Sequence, residues 1–299
     1  MLSKAGTGNR SACNIARQGR RTFPKTEGVE IPANFGIIAG NGAYPLQMAR
    51  AARAAGVKKI VVAAFENETR PELTELVDEI EWMRVGQLGK MIKCFTRREV
   101  KQAVMAGQIA PKNLFDLRPD VKALLVLGRL KQRNADTIFS AIGDELGKAG
   151  VRLLPATTFM DDQLAPEGLI AGPKISEREL QDIAFGFEIA KETSRLDIGQ
   201  TVVVKNGTVL AVEAFEGTNA AIKRGGELGR GEAIVAKVSK PDHDFRFDVP
   251  VIGPQTLETA REAGIRIIAV EAGRTLFVER EAVFAAAAQH RISIYGQRL

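Results

Sequence analysis

Cysteine and histidine are nearly missing from this chain of 299 residues, which holds two of each: Cys13 and Cys94, His243 and His290. Two cysteines cannot build a disulfide framework or a four-thiolate zinc site, and two histidines leave little for histidine-rich metal chemistry. The chain therefore reads as reduced and intracellular. Long apolar runs are also lacking. Val121 to Leu130 is among the longest and is broken by Lys122 and Arg129, short of the roughly 18–20 uncharged residues that cross a bilayer as a helix. Strong charge of one sign is missing from the body of the chain. The net charge is +6, yet residues 1–33 hold six basic groups against two acidic ones, so most of the excess sits there. With a nearly neutral body and no aromatic-rich basic motif, nucleic acid is not an expected partner, although a basic tail can touch anionic lipid head groups.

What is present is ordinary for a globular protein: 45% hydrophobic and 26% charged residues, enough for two domains that each bury a core. Residues 1–33 are polar, rich in Gly, Arg and Ser, and without hydrophobic periodicity, so they are expected to be a disordered basic tail. Their Arg-rich, acid-poor character is that of a transit peptide, and equally of a dispensable extension. From Phe35 an apolar run enters Gly40-Asn41-Gly42 and leaves into a helix-forming stretch, Leu46 to Ala55. Lys58 to Ala64 then reads as a second strand. This is a βαβ unit. Further elements are predicted as strand 80–85, helix 89–106, buried strand 121–127, helix 135–149 and strand 151–155. The alternation specifies a Rossmann-like, doubly wound parallel α/β domain over 34–165.

A Pro-, Gly- and acid-rich stretch then leads to Ser176-Glu-Arg-Glu179, which fits a capping box, and the character changes. Residues 201–204 and 208–213 flank Asn206-Gly207 as a hairpin with a type I′ turn. Strands are predicted at 233–238, 249–252, 265–270 and 275–278, with helices at 255–263 and 281–289. Residues 166–299 thus read as a mixed α+β domain.

Gly40-Asn41-Gly42 lies where a strand opens into a helix, a place where backbone N–H groups favour a phosphate. A dinucleotide fingerprint wants a third glycine where Pro45 stands, which counts against a nicotinamide cofactor. Glu66 after the second strand can accept from a ribose hydroxyl. Arg195 to Gln200 puts a cation, a carboxylate and an amide at one strand entrance. It serves equally as an ion-paired helix end with Gly199 in a left-handed conformation. Glu213 and Glu216 close the hairpin beside Gly217 and Thr218, where carboxylates can take magnesium and Gly-Thr before a helix can take a phosphate; solvated acids behind a Thr cap fit the same residues. Lys237, Lys240 and Arg246 can stabilise phosphoryl charge, and Asp248 stands just before a Val-Pro-Val strand that would fix it in a cleft. His243 with Asp242 and Asp244 reads more simply as a solvated loop than as a metal site. Glu271 and Arg274 end another strand. Acids and bases delivered to the same kind of strand end form the pattern of a site.

Gly36 to Pro45, Arg195 to Gln200, Val212 to Thr218, Phe247 to Gly253 with Thr256, and Ala269 to Gly273 together resemble, in order, the signature blocks of the UDP-2,3-diacylglucosamine pyrophosphatase family of lipid A biosynthesis. The resemblance is to its Rossmann-like two-domain type, not to the calcineurin-like metallophosphoesterase that performs the same step elsewhere. It covers residues 35–297 and leaves the tail unassigned. It implies a magnesium-dependent hydrolase that splits its substrate into UMP and 2,3-diacylglucosamine 1-phosphate, with the site between the domains. It also implies a homodimer at the inner face of the inner membrane, where the lipid substrate resides. Asp248 is the implied catalytic residue, orienting water or binding magnesium. Glu213 and Glu216 join it as metal ligands. Gly40, Asn41, Gly42, Gly128, Lys174, Gln200, Gly217, Thr218, Lys237, Lys240 and Thr256 make up the expected substrate-binding set. A non-catalytic sugar-nucleotide or lipid-precursor binding module and a nicotinamide-dependent oxidoreductase are the competing readings.

Overall fold

Residues 30–109, 119–131, 135–240, 244–247 and 249–298 are described by the structure, a computed structural model. Nearly all of the basic tail, and with it Cys13, lies outside these residues, as do Asp242, His243 and Asp248. Apolar runs bounded by turns set the first domain. β1 (Asn34–Ala39), β2 (Lys59–Phe65), β3 (Glu79–Met83), β4 (Gln102–Ala106) and β5 (Arg152–Leu153) form one parallel sheet in the order β3-β2-β1-β4-β5. β1 and β2 are apolar along almost their whole length because both faces are covered. Helix α1 (Tyr44–Ala54) packs Met48, Ala49 and Ala52 against one face. α2 (Leu88–Thr96), α3 (Val121–Arg129) and α4 (Ala135–Lys148) cover the other, with Met91, Phe95, Val126 and Leu146 in its core.

Two expectations fail here. Residues 121–127 are not a buried strand but the helix α3, with Val121, Leu124 and Leu125 exposed and only Ala123 and Val126 turned inward. A short apolar run has no period that separates strand from helix. Asp120 decides it locally: its carboxylate accepts from Ala123 N at 2.9 Å as an N-cap and from Gly89 N at 2.7 Å. The single helix expected over 89–106 ends at Thr96, and Gln102-Ala-Val-Met-Ala106 is β4, between β1 and β5. Its residues are good helix formers, overridden by burial in the sheet.

The second domain is a six-stranded mixed sheet in the order β6-β13-β11-β9-β7-β8. It contains β6 (Gly168–Ala171), β7 (Thr201–Lys205), β8 (Thr208–Val212), β9 (Ala233–Lys237), β11 (Ile265–Glu271) and β13 (Ser293–Gln297). β9, β11 and β13 are parallel; β6, β7 and β8 are antiparallel to their neighbours. β10 (Val251–Ile252) and β12 (Leu276–Phe277) pair separately. The capping box forms at Ser176 and opens α5 (Glu177–Arg195). Asn206 and Gly207 both take positive φ, 51° and 70°, as the type I′ turn requires; both their N–H groups donate to Asp182 at 2.7 Å. α6 (Thr218–Gly229), α7 (Pro254–Glu262) and α8 (Arg280–Gln289) complete the domain.

The two domains share packing. Val249, Leu276 and Val278, from the second half of the chain, sit in the core of the first beside Phe35 and Met48. Phe245 O accepts from Ala156 N at 2.7 Å, and Phe247 stacks on Phe139 of α4 at 6.2 Å. The segment after β9 therefore runs from the carboxyl edge of the second sheet to the carboxyl end of β5.

Candidate functional site

Strand register gathers the polar residues. Thr201 stands opposite Lys237, Lys237 opposite Val270, and Glu271 opposite Gln297. Thr201, Glu213, Lys237 and Glu271 thus share one edge of the second sheet, although up to 70 positions separate them in the sequence. Gly217, at φ 84°, turns the chain from β8 into α6 and puts Thr218 at the helix start.

There the side chains form a relay. Lys237, only 5% exposed, donates from Nζ to Thr218 Oγ1 at 2.9 Å and reaches Thr201 Oγ1 at 3.5 Å. Thr218 Oγ1 in turn donates to Glu213 Oε1 at 2.8 Å. Glu213 is 8% exposed, and its other oxygen, Oε2, is buried without a hydrogen-bond partner among the described residues. The side-chain oxygen of Gln200 is in the same state. A bare buried carboxylate oxygen costs free energy of the order of 1–3 kcal/mol or more, so the arrangement suits an additional cation or donor. The first-turn N–H groups of a helix have no helical acceptors and favour an anion. A buried ammonium, a helix start and a half-satisfied carboxylate together suit a phosphate that arrives with a metal.

Nearby groups are engaged with one another. Lys240 Nζ lies 2.5 Å from Asp197 Oδ1. Glu216 pairs with Arg224 at 2.6 Å, whose guanidinium holds its carboxyl below the usual range. Among the described residues no three His, Cys, Asp or Glu side chains converge on a cation position. Magnesium fits on the Glu213 oxygen all the same, because that ion is commonly held by one or two carboxylates together with substrate phosphates and water.

Other expected residues are placed apart. Gly40 and Asn41 spend their N–H groups on Ala106 O at 2.8 Å and Gln108 O at 2.6 Å, so these two are not free to cradle a phosphate. Gly40 is required by that contact, since a Cβ there would meet Gln108 O at 2.5 Å. Glu66 faces Arg84 at 3.5 Å. Gly128 sits in the last turn of α3, which packs on α2 and α4. The Lys174 carbonyl accepts from Arg266, at the start of β11, roughly 17 Å along the strand from Glu271. Thr256 opens the second domain's α7, its N–H donating to Gly253 O at 3.0 Å. Asp248 lies outside the described residues, directly after Phe247. Gly199 is not left-handed: Asp197 takes the positive φ, 59°, and Gly199 serves a close approach in which a Cβ would lie 2.0 Å from Glu213 O. Thr201, Lys191 and Ser239 were not legible as site residues, because only strand register brings them to this edge.

These features define the class: a two-domain α/β protein whose second, mixed sheet gathers a buried lysine, two threonines and a carboxylate at one edge. Family models for the LpxI N-terminal and C-terminal domains match residues 34–163 and 166–295. The chain belongs to the LpxI family. A curated relative, UDP-2,3-diacylglucosamine pyrophosphatase LpxI of Caulobacter vibrioides, is 34% identical over 273 residues, covering 88% of this chain and 96% of that protein. The solved biotin carboxylase subunit of pyruvate carboxylase is 14% identical, spans 57% of this chain and 35% of its own, and has a TM-score of 0.25, too low to carry an argument.

Proposed function

We infer that this chain hydrolyses the pyrophosphate of UDP-2,3-diacylglucosamine to UMP and 2,3-diacylglucosamine 1-phosphate, with magnesium, as a step of lipid A biosynthesis. The observation that carries the reading is the Lys237–Thr218–Glu213 relay at the start of α6, whose second carboxylate oxygen has no partner among the described residues. Membership of the family and the activity for which the Caulobacter relative is named supply the substrate.

In this reading Lys237 and the first turn of α6 neutralise charge on the pyrophosphate oxygens as it builds in the transition state. Magnesium, held by Glu213 with Asp248, would act as a Lewis acid on the same oxygens. Glu216 stays with Arg224 and shapes the loop. Asp248 orients the attacking water; one P–O bond forms from that water, the bridging P–O bond breaks, and the water's proton leaves with the phosphate products. Lys240, Gln200 and Gly217 bind substrate around this centre.

The apolar side of the substrate also has a counterpart. Phe215 is 98% exposed, and Leu196 and Ile198 are 58% and 47% exposed. They lie on the two loops that carry Gln200 and Glu213, which touch where Gly199 packs on Glu213 O. Exposed large side chains grouped beside a polar site suit diacyl chains presented by a bilayer. Among the described residues no helix is long and apolar enough to cross a membrane. Work as a homodimer at the inner face of the inner membrane belongs to the same proposal.

Phosphorus NMR of the wild type and Asp248→Ala with UDP-2,3-diacylglucosamine and magnesium tests it. UMP and the sugar 1-phosphate are expected from the wild type alone. An intact pyrophosphate with the folded, metal-replete wild type overturns the reading and makes a binding module the better one.

A further inference from the structure

Ser239 is held through its whole main chain and side chain by two charged residues from other elements. Glu271, the last residue of β11 and 4% exposed, accepts on Oε2 from Ser239 N at 2.9 Å, Ser239 Oγ at 2.8 Å and Lys191 Nζ at 2.8 Å. Lys191, from α5, also donates to Ser239 O at 2.9 Å. Arg274 closes the group: its Nε lies 3.3 Å from Glu271 Oε1, its Nη1 reaches Ser239 Oγ at 3.4 Å, and its guanidinium lies over the Phe245 ring at 5.4 Å.

Position in the chain gives this cluster its meaning. Ser239 is two residues beyond Lys237 and one before Lys240. Six residues after Ser239, Phe245 is tied to Ala156 of the first domain and covered by Arg274. Phe247, stacked on Phe139, immediately precedes Asp248. The segment from Lys237 to Phe247 thus has one anchor at Ser239 and a second at Phe245 and Phe247, and Arg274 touches both.

A buried ion pair adds little stability compared with apolar residues of similar volume, because desolvating both charges offsets their attraction. Its advantage here is specific. A carboxylate and an ammonium together satisfy the N–H, O–H and carbonyl of a residue that has left the sheet ladder. We propose that Glu271, oriented by Lys191 and Arg274, is a positioning residue. It fixes the segment that carries Lys240 and leads to Asp248 in register with Lys237, and so aligns the two sides of the site. The proposal rests on the hydrolase reading for its effect on turnover and on geometry alone for its effect on the segment.

The test uses the full chain and the variants Lys191→Met, Lys191→Arg and Glu271→Gln, with hydrogen exchange of peptides spanning 239–250 and steady-state hydrolysis of a short-chain 2,3-diacyl substrate. Lys191→Met and Glu271→Gln should each speed exchange in that segment by about tenfold or more while β13 is unchanged. They should lower kcat by about 10- to 100-fold with KM within about threefold. Lys191→Arg, which retains the charge and donors, should restore most of kcat. A lower melting temperature with exchange and kcat both unchanged overturns the proposal, as does faster exchange without loss of kcat. A wild type without turnover overturns the hydrolase reading instead, and the exchange arm then decides whether the pair holds the segment.

Discussion

Glu213 has two unlike oxygens, one bonded to Thr218 and one bare, whereas Glu271 is saturated with donors. One carboxylate is open for a ligand and the other is closed around a loop, at the same sheet edge. The closed one has a pH signature. Burial alone would raise the Glu271 carboxyl, but Lys191 and the Ser239 N–H and hydroxyl outweigh it and hold it below the ordinary 4.5. A carboxyl depressed in the folded state contributes stability above its unfolded value, lost as pH falls through the folded value. Without Lys191 the folded value moves up towards the unfolded one, so urea midpoints taken between pH 7 and pH 3 should show a smaller acid loss for Lys191→Met than for the wild type. Superimposable profiles for the two proteins would contradict this.

At the scale of elements, Asp120 joins two helices, capping α3 and accepting from Gly89 at the start of α2. Asp120→Ala should lower the free energy of unfolding by about 1–2 kcal/mol, the usual worth of such a cap, and leave turnover within about twofold. Urea denaturation checks the first part; a loss below 0.3 kcal/mol, in the range of ordinary surface substitutions, would show that the cap does not hold the helices. Much was legible at this level because the local signals agree with the burial around them: the capping box at Ser176, the Asn206-Gly207 turn, and the doubly covered runs of β1 and β2. What was not legible depended on distant partners. Residues 121–127 suited strand or helix equally, and β4 was composed of helix formers. β6 and β13 became strands by pairing with each other and with β11. The site divides in the same way. Glu213, Thr218 and Lys237 stood out as chemistry beside strand ends, while Thr201, Ser239 and Lys191 needed the register. Gly40 and Asn41 had the composition of a phosphate loop, yet their N–H groups bond to the last residue of β4 and to Gln108 just after it.

For the whole molecule, Phe245 and Phe247 tie the stretch after β9 to the first domain, and under the proposed function the apolar loops beside the relay would set how a lipid-linked substrate approaches. Leu196→Ser, Ile198→Ser and Phe215→Ser combined should raise KM for the diacyl substrate in vesicles by about tenfold or more, since each buried side chain contributes about 1.5–3 kcal/mol. Hydrolysis of a water-soluble short-chain analogue should be unchanged. Equal loss on both substrates, or none on either, would remove the loops from lipid contact. The most direct test of the central claim, that hydrolysis takes place at the Lys237–Thr218–Glu213 edge, is turnover by Lys237→Met with the short-chain substrate and magnesium, at a temperature where circular dichroism shows it folded. The account predicts a fall in kcat of about 100-fold or more, the scale of losing one preorganised transition-state donor; a folded variant with turnover within twofold of wild type would contradict it.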